Sequence, residues 1–353
     1  MKEVFIGKRA IGEGNKPYII AEISGNHGGS LDRALELIRS ASSTGADAVK
    51  FQTYTPDTIT IKSDRSEFLI NDSESLWHGR TLYDLYQEAH TPWEWHAPMF
   101  EYARSLGLEV FSSPFDLTAV DFLEDLEVAA YKIASLELTD VQLIKRVAET
   151  SKPLIMSTGG AKLADIENAI KVARSNGADN LILLKCTSAY PALPEDANLR
   201  SMITLKEMFD CHVGLSDHTL GTAVSLASIA LGATVIEKHF IDDKSHSTVD
   251  SAFSLDQEEF KYLVDQAEIA WKALGTSSIK PSASEATSVS HKRSIYVVED
   301  LNEGEEFTYK NLKSIRPGNG LEVKHLEDFI GQKASTSISK GTPLKWSFLA
   351  NQD

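Results

Sequence analysis

Eight short β-forming runs recur along the first two-thirds of this chain, most of them separated by segments of helical spacing. They are YIIAEIS (18–24), AVKFQT (48–53), EVFSSPF (109–115), AYKIAS (130–135), PLIMST (153–158), LILLKCTS (181–188), HVGLSDH (212–218) and VIEKHF (235–240). Such near-continuous apolar runs suit strands buried on both faces, and helical connections between them imply parallel pairing. The connecting segments LDRALELIRSASSTGADA and LADIENAIKVARSNGADN repeat their apolar residues with helical period. Both end in Gly-Ala-Asp, where glycine suits a helix C-terminus. Eight strand–helix units over about 230 residues imply a (β/α)₈ TIM barrel. An open doubly wound sheet is the alternative, but no G-x-G-x-x-G follows an early strand.

After the eighth run comes a helical segment, EEFKYLVDQAEIAWKALG, whose Phe260 and Trp271 are expected to pack against the barrel. Residues 276–290, TSSIKPSASEATSVS, lack an apolar period and read as a linker. Residues 291–353 show short strand-like stretches broken by Gly and Pro. They suit a small, mostly β domain of about 60 residues, marginal in stability unless it packs on something larger. The expected plan is a barrel over 1–275, a linker over 276–290 and the β domain over 291–353.

Composition narrows the partners. Asp plus Glu outnumber Lys plus Arg by 51 to 35, a net charge of −16. That field repels polyanions, so neither nucleic acid nor an anionic membrane is an expected partner, although a small anionic substrate responds to its local pocket instead. The two cysteines, Cys186 and Cys211, cannot build a disulfide framework. The N-terminal stretch lacks the apolar core of a signal peptide, and no run approaches the ~18 apolar residues of a membrane span. A cytoplasmic protein is expected.

In a barrel of this kind the βα loops meet at the strand C-terminal ends and form the site. Polar residues close every run: Glu22 and Ser24; Lys50 and Gln52; Ser112 and Ser113; Lys132, Ser135 and Glu137; Ser157 and Thr158; Thr187, Ser188 and Tyr190; Ser216, Asp217 and His218; Lys238 and His239. A polar barrel mouth is therefore expected. Lys50 and Lys132 interrupt otherwise apolar strands, and buried lysines are rare unless paired. With the hydroxyls they suit a phosphate; the other reading is structural ion pairing with Glu22 or Glu137. His218 and His239 end neighbouring strands, where two imidazoles suit a divalent transition metal such as Mn²⁺, Zn²⁺ or Fe²⁺ with open positions, or serve as hydrogen-bonded core residues. His78, His90, His96, His246 and His325 have no such partner and read as surface or packing residues. In HTPWEWH (90–96), Thr91 with Glu94 reads as a capping box and Pro92 as a first helical residue. RPGNG (316–320) reads as a loop carrying Arg316.

Taken in order and spacing, AEISGNHGGS, VKFQTY, FSSPFD, AYKIAS, STGG, LKCTSAYP, GLSDHT and IEKHF resemble the sialic acid synthase family. The segment around RPGNG resembles that family's antifreeze-like, or SAF, domain, and the likeness spans residues 15–349. TLYDLYQEAHTPWEWH and CTSAYPALPED are most similar to the pseudaminic acid synthase branch. The resemblance implies condensation of phosphoenolpyruvate with the open-chain aldehyde of an N-acetylated amino sugar, with release of phosphate. For the pseudaminic branch the sugar is 2,4-diacetamido-2,4,6-trideoxy-L-altrose. The alternatives are N-acetylmannosamine, as in N-acetylneuraminate synthases, or the sugars of legionaminic and spore-coat enzymes.

On matching positions the resemblance implies that His218 and His239 hold Mn²⁺ or a similar ion (Mg²⁺, Co²⁺ or Zn²⁺). Lys50, Ser113, Lys132, Ser135, Ser157, Ser188 and Ser216 would bind phosphoenolpyruvate, and Glu22 would be the general acid/base. Gln52, Glu137, Tyr190 and Asp250 would contact the sugar. Arg316 would arrive from the partner chain of a domain-swapped homodimer whose SAF domain caps the partner barrel. Ser113 stands where many relatives carry Thr and Ser188 where they carry Asn, and the segment between Thr55 and Thr81 departs from the neuraminic acid enzymes.

Two other classes compete. A metal-dependent aldolase or hydrolase acting without phosphoenolpyruvate has no need of paired lysines among serines. A sugar- or ice-binding protein has no need of an intact barrel mouth. This chain keeps Glu22, both lysines and both histidines.

Overall fold

A computed structural model of the chain describes residues 3–73 and 75–350. The chain divides into two compact units, Met1–Gly275 and Thr276–Asp353. In the first, β1 (Val4–Ile6) and β2 (Arg9–Ile11) form a short antiparallel pair. The barrel follows: β3 (Tyr18–Glu22), β4 (Ala48–Thr53), β5 (Glu109–Pro114), β6 (Tyr131–Ile133), β7 (Leu154–Ser157), β8 (Leu181–Cys186), β9 (His212–Asp217) and β10 (Val235–His239). All eight are parallel, and pairing of β10 with β3 closes the sheet, leaving no edge. The expected TIM barrel is thus present, each strand within its predicted run.

Helices α1 (Leu31–Ser43), α5 (Leu117–Asp125), α6 (Val141–Ala148), α7 (Leu163–Ser175), α8 (Ser201–Phe209) and α9 (Ala223–Ala230) return the chain between strands, and α10 (Gln257–Leu274) follows β10. Between β4 and β5 the chain makes three, α2 (Pro56–Ile59), α3 (Leu82–Ala89) and α4 (Trp93–Ser105). Ser30 starts α1 by accepting the Arg33 N–H, and Asp256 with Glu259 makes a capping box on α10. The glycines read as helix stops do that work: Gly45 and Gly177 sit at φ +82° and +107° just beyond α1 and α7, a backbone region that side chains disfavour. Phe260 is fully buried, and Trp271 packs against the core while its indole donates to the Glu13 carbonyl. Among the described residues no helix is long and apolar enough to cross a membrane.

Two features differ from expectation. The β1–β2 pair went unread because three-residue strands carry no usable period; its Val4, Ile6 and Ile11 join the barrel core, and Arg9 pairs with Asp47 beside the start of β4. The Thr91–Glu94 capping box is absent. Pro92 is the N-cap of α4 and makes no side-chain cap, while Thr91 Oγ1 turns inward to His27 Nε2 at 3.1 Å. His96, one turn in, is buried and bonds Thr53 Oγ1 at 2.8 Å. The motif serves the core.

The second unit has its own apolar core, including Ile295, Val297, Phe307, Phe329 and Leu344. Its regular strands are β11 (Ser294–Val297) and β12 (Leu312–Ile315), paired antiparallel, and isolated bridges such as Leu301 to Ile338 tie the remaining loops. The stretch read as a linker ends in a short helix, α11 (Ala286–Ser290).

Candidate active site

Strand phase decides which of the polar strand-end residues face one another, because successive side chains on a strand alternate between its two faces. The register sets His239, Glu22 and Lys50 level on β10, β3 and β4, and Glu237, Ser216 and Cys186 level on β10, β9 and β8. One phase of each strand converges on a tight inner cavity lined by Glu22, Lys50, Gln52, Ser113, Lys132, Ser135, Ser157, Cys186, Tyr190, Ser216, His218, Glu237 and His239. The other phase points away, which corrects part of the expected mouth. Ser112 bonds Thr53 Oγ1 at 2.7 Å, behind the wall. Thr158 donates to the Leu184 carbonyl, and Thr187 to the Asp196 carbonyl. Lys238 is fully buried against Asp217 at 2.9 Å, and Ser225 of α9 donates to the same carboxylate. Asp217 and Lys238 form a structural pair.

Both lysines are ion-paired, Lys50 with the expected Glu22 and Lys132 with a different carboxylate. Lys50 Nζ lies 2.7 Å from Glu22 Oε2, and it donates to Ser113 Oγ at 3.2 Å. Lys132 Nζ pairs not with Glu137 but with Glu237 Oε1, at 3.0 Å, and Ser216 Oγ donates to the same oxygen. Glu237 Oε2 is also 3.8 Å from Lys50, so this carboxylate stands between the two cations. Burial alone would raise the Glu237 carboxyl, but Lys132 and Lys50 reverse that and hold it near 2. Glu22 goes the other way. Burial raises it, the neighbouring Glu237 charge adds to the rise, and Lys50 with the Gln52 amide only partly opposes it. The two neighbouring carboxyls are thus pushed in opposite directions, the separation that acid/base sites show.

The serines surround a cradle. Ser157 Oγ is buried with no hydrogen-bond partner among the described residues. Ser135 Oγ accepts the Gly159 N–H at 3.1 Å, and a Cβ on Gly159 would lie 2.3 Å from Ser188 Oγ and 2.8 Å from Ser135 Oγ. Glycine there lets both hydroxyls approach the backbone, and in the inner cavity Ser113, Ser135, Ser157 and Ser216 stand with the Lys50 and Lys132 ammoniums, a donor set that suits an anion.

The histidines face one another, with ring centroids 5.4 Å apart. His218 Nδ1 bonds the Thr187 carbonyl at 2.8 Å, which fixes its proton on that nitrogen and leaves Nε2 as a lone pair. Burial works against a charge on His218, but the Cys186 sulfur and this carbonyl outweigh it and make the imidazole more basic. His239 is held neutral, its affinity for a proton pushed far down by burial and the nearby His218 and lysines, and its buried Nδ1 has no partner among the described residues. The orphaned, neutral His239 beside the free Nε2 of His218 fits a divalent ion. Among the described residues no cluster of three or more His, Cys, Asp or Glu suits a metal, so an ion here draws its other ligands from water or substrate.

A second cavity of about 350 Å³ continues outward, lined on its polar side by Ser24, Gln52, Ser135, Glu137, Tyr190, His239 and Asp250. Burial lifts the Glu137 carboxyl to about 7. Asp250, also raised by burial, accepts the Gly25 N–H at 3.2 Å and so anchors the turn after β3. The Tyr190 ring stacks at a tilt on His218, centroids 4.4 Å apart, and Phe253 packs against both His239 and Tyr190.

The fold therefore gathers Glu22, Gln52, Lys50, Ser113, Lys132, Ser135, Glu137, Ser157, Tyr190, Ser216, His218, His239 and Asp250 about two continuous cavities, with Ser188 bordering them beside Gly159. Arg316 lies in the second unit, exposed on the loop after β12, and makes no hydrogen bond or ion pair among the described residues. Sequence reasoning missed Glu237, Cys186, Gly159, Trp77 and Phe253. The first two were readable by alternation: Glu237 is two residues before His239, and Cys186 two before Ser188, so each shares its phase.

Comparison with known proteins identifies the two units. Residues 37–279 match the NeuB family and residues 292–350 the SAF domain. The chain is 45% identical over 332 residues to a pseudaminic acid synthase of Campylobacter jejuni, covering 94% of this chain and 96% of that protein. A pseudaminic acid synthase of Helicobacter pylori is 44% identical over 330 residues, covering 93% and 96%. Among solved structures, the N-acetylneuraminic acid synthetase of Leptospira borgpetersenii in complex with citrate superposes with a TM-score of 0.72 at 31% identity, covering 82% of this chain and 95% of that one. With a closed parallel barrel, a C-terminal SAF domain and these relatives, the chain belongs to the NeuB family.

Proposed function

We propose that this chain is a pseudaminic acid synthase, condensing phosphoenolpyruvate with open-chain 2,4-diacetamido-2,4,6-trideoxy-L-altrose. The carrying observation is the convergence of Lys50, Lys132, Ser135 and Ser157 on one cavity with Glu22 and the two histidines, where Ser157 Oγ and His239 Nδ1 have no partner among the described residues. Identity of 44–45% to two pseudaminic acid synthases supports the same sugar.

Phosphoenolpyruvate C3 bonds to the aldehyde carbon, a water oxygen adds at C2, and the bond from C2 to the phosphate oxygen breaks. Lys50, Lys132 and the hydroxyls hold the phosphate and steady its charge as it leaves. Glu22 takes the proton of the adding water, a role that suits a carboxyl with a raised proton affinity. Gln52, whose amide donates to both Glu22 and Ser24 at 3.0 Å, fixes the orientation of that carboxyl. His218 and His239 are the residues that would hold a divalent ion, Mn²⁺, Mg²⁺, Co²⁺ or Zn²⁺; polarisation of the aldehyde oxygen is the chemistry such an ion would supply. Glu137, Tyr190 and Asp250 orient the sugar. Arg316 completes the sugar site from the partner chain of a homodimer, a reading supported by its exposure and its lack of a partner among the described residues.

Phosphate release measured with phosphoenolpyruvate and each of several amino sugars tests this reading. Turnover is expected with the diacetamido sugar and lost on chelation, returning with Mn²⁺. Turnover with N-acetylmannosamine alone overturns the substrate, and full activity of stripped enzyme in metal-free buffer overturns the metal.

A further inference from the structure

The outer cavity has a second wall that the catalytic assignment leaves unused. Besides Glu137 and Asp250, the cavity is lined by Ile59, Ile70, Trp77, Leu82, Leu85 and Tyr86 from the chain between β4 and α4. This excursion, residues 55–89, is far longer than the other βα connections of the barrel. It is also built to hold its shape. Ile70 N–H donates to the Arg80 carbonyl at 2.9 Å and Gly79 N–H to the Ile70 carbonyl at 2.8 Å, closing a hairpin-like turn. The Trp77 indole N–H then reaches across to the Val249 carbonyl, at 3.2 Å, on the loop after β10. Its ring meets Tyr190, on the loop after β8, with centroids 5.8 Å apart. The excursion is therefore pinned over the cavity to two other loops of the mouth.

The inner and outer cavities share Gln52, Ser135, Tyr190 and His239, so a sugar whose aldehyde reacts beside His218 and His239 would extend into the outer cavity and bring its far carbon toward this wall. Of the six side chains only Trp77 and Tyr86 carry polar atoms, and the Trp77 N–H is already given to Val249. The Tyr86 hydroxyl is the one polar group these six side chains leave over, so a hydroxymethyl group settling among Ile59, Ile70, Leu82 and Leu85 gives up water for at most that single partner, whereas a methyl group loses nothing. We propose that the 55–89 excursion is the specificity element of the site, its apolar side chains receiving the methyl terminus of a 6-deoxy sugar and discriminating against the 6-hydroxy counterpart. The inference rests on the function proposed above and adds which carbon is read and by which residues.

The test compares kcat/KM for 2,4-diacetamido-2,4,6-trideoxy-L-altrose and the same sugar bearing a 6-hydroxyl, in the full-length enzyme with Mn²⁺. Wild type is expected to favour the deoxy sugar by about ten- to a hundred-fold, the range a hydrophobic pocket achieves against an added hydroxyl. Leu82→Ser and Ile70→Thr, both at partly exposed positions, are each expected to narrow that ratio by about five-fold or more while leaving KM for phosphoenolpyruvate unchanged. A wild-type ratio near one overturns the inference whether or not either variant folds, and leaves the proposed function standing. An unchanged ratio in folded variants also overturns it. Turnover of neither sugar by wild type overturns both readings together.

Discussion

Glu22 and Lys132 lie in the same cavity, yet their chemistry separates them kinetically. Lys132 offers a charge to the ligand before and during reaction, so Lys132→Ala should act mainly on KM for phosphoenolpyruvate, losing the ~1.5–3 kcal/mol of a charged contact. Glu22→Gln keeps the shape and removes the proton acceptor; kcat should fall by about 10²–10⁴ with KM little changed. Steady-state kinetics in which the two patterns are interchanged would show the roles to be reversed. Glu137 gives a second residue-scale expectation. Its carboxyl, lifted by burial to about 7, is charged above that pH and neutral below it. If the anion accepts hydrogen bonds from the sugar, KM for the sugar rises as pH falls from 8 to 6, while KM for phosphoenolpyruvate does not follow. Glu137→Gln should flatten that limb, and a limb surviving in the variant assigns it to another group.

Between the residue and the fold lies the strand, whose alternation sorts one polar residue into chemistry and its neighbour into stability. On β10, Glu237 and His239 face the cavity, while Lys238 between them is buried against Asp217 and α9. Lys238→Met preserves much of the side-chain volume but strands the Asp217 charge, a change that costs about 3–5 kcal/mol when a buried pair loses one partner. Denaturant titration should register that loss, with KM for phosphoenolpyruvate nearly unchanged in the folded enzyme; intact stability with lost affinity would instead put Lys238 among the ligand contacts. The same alternation explains what could be read in advance. The strands were visible because parallel strands buried on both faces are apolar throughout, and the cavity lysines because each interrupts such a run. Their carboxylate partner was harder to see: Glu237 sits among three consecutive polar residues, where composition alone does not say which face is which. Trp77 and Phe253 were hidden for a different reason. They reach the site from loops, whose paths follow no period, and their position depends on contacts such as that between Trp77 and Val249, 172 residues apart in sequence.

At the scale of the whole molecule the question is how a barrel with a complete set of cavity residues acquires Arg316. The second unit carries its own core, centred on Phe307 and Phe329, and so can present a loop as a folded body. A connection of about 15 residues reaches its own barrel or a neighbour's equally well, so chain length does not choose between them. Complementation does. Arg316→Ala chains and Glu22→Gln chains should each be inactive alone. If Arg316 acts in trans, a mixed dimer holds one barrel with intact Glu22 facing the intact arginine of its partner, and a second barrel with both defects. Activity should then return on subunit exchange, approaching half of the wild-type value per mixed dimer. If Arg316 acts in cis, every barrel keeps one defect, and mixing restores nothing. Recovery measured against exchange, followed by native mass spectrometry of the two chains, separates the cases. Absence of recovery after complete exchange removes the swapped dimer and leaves the roles of Glu22, the lysines and the histidines as they stand.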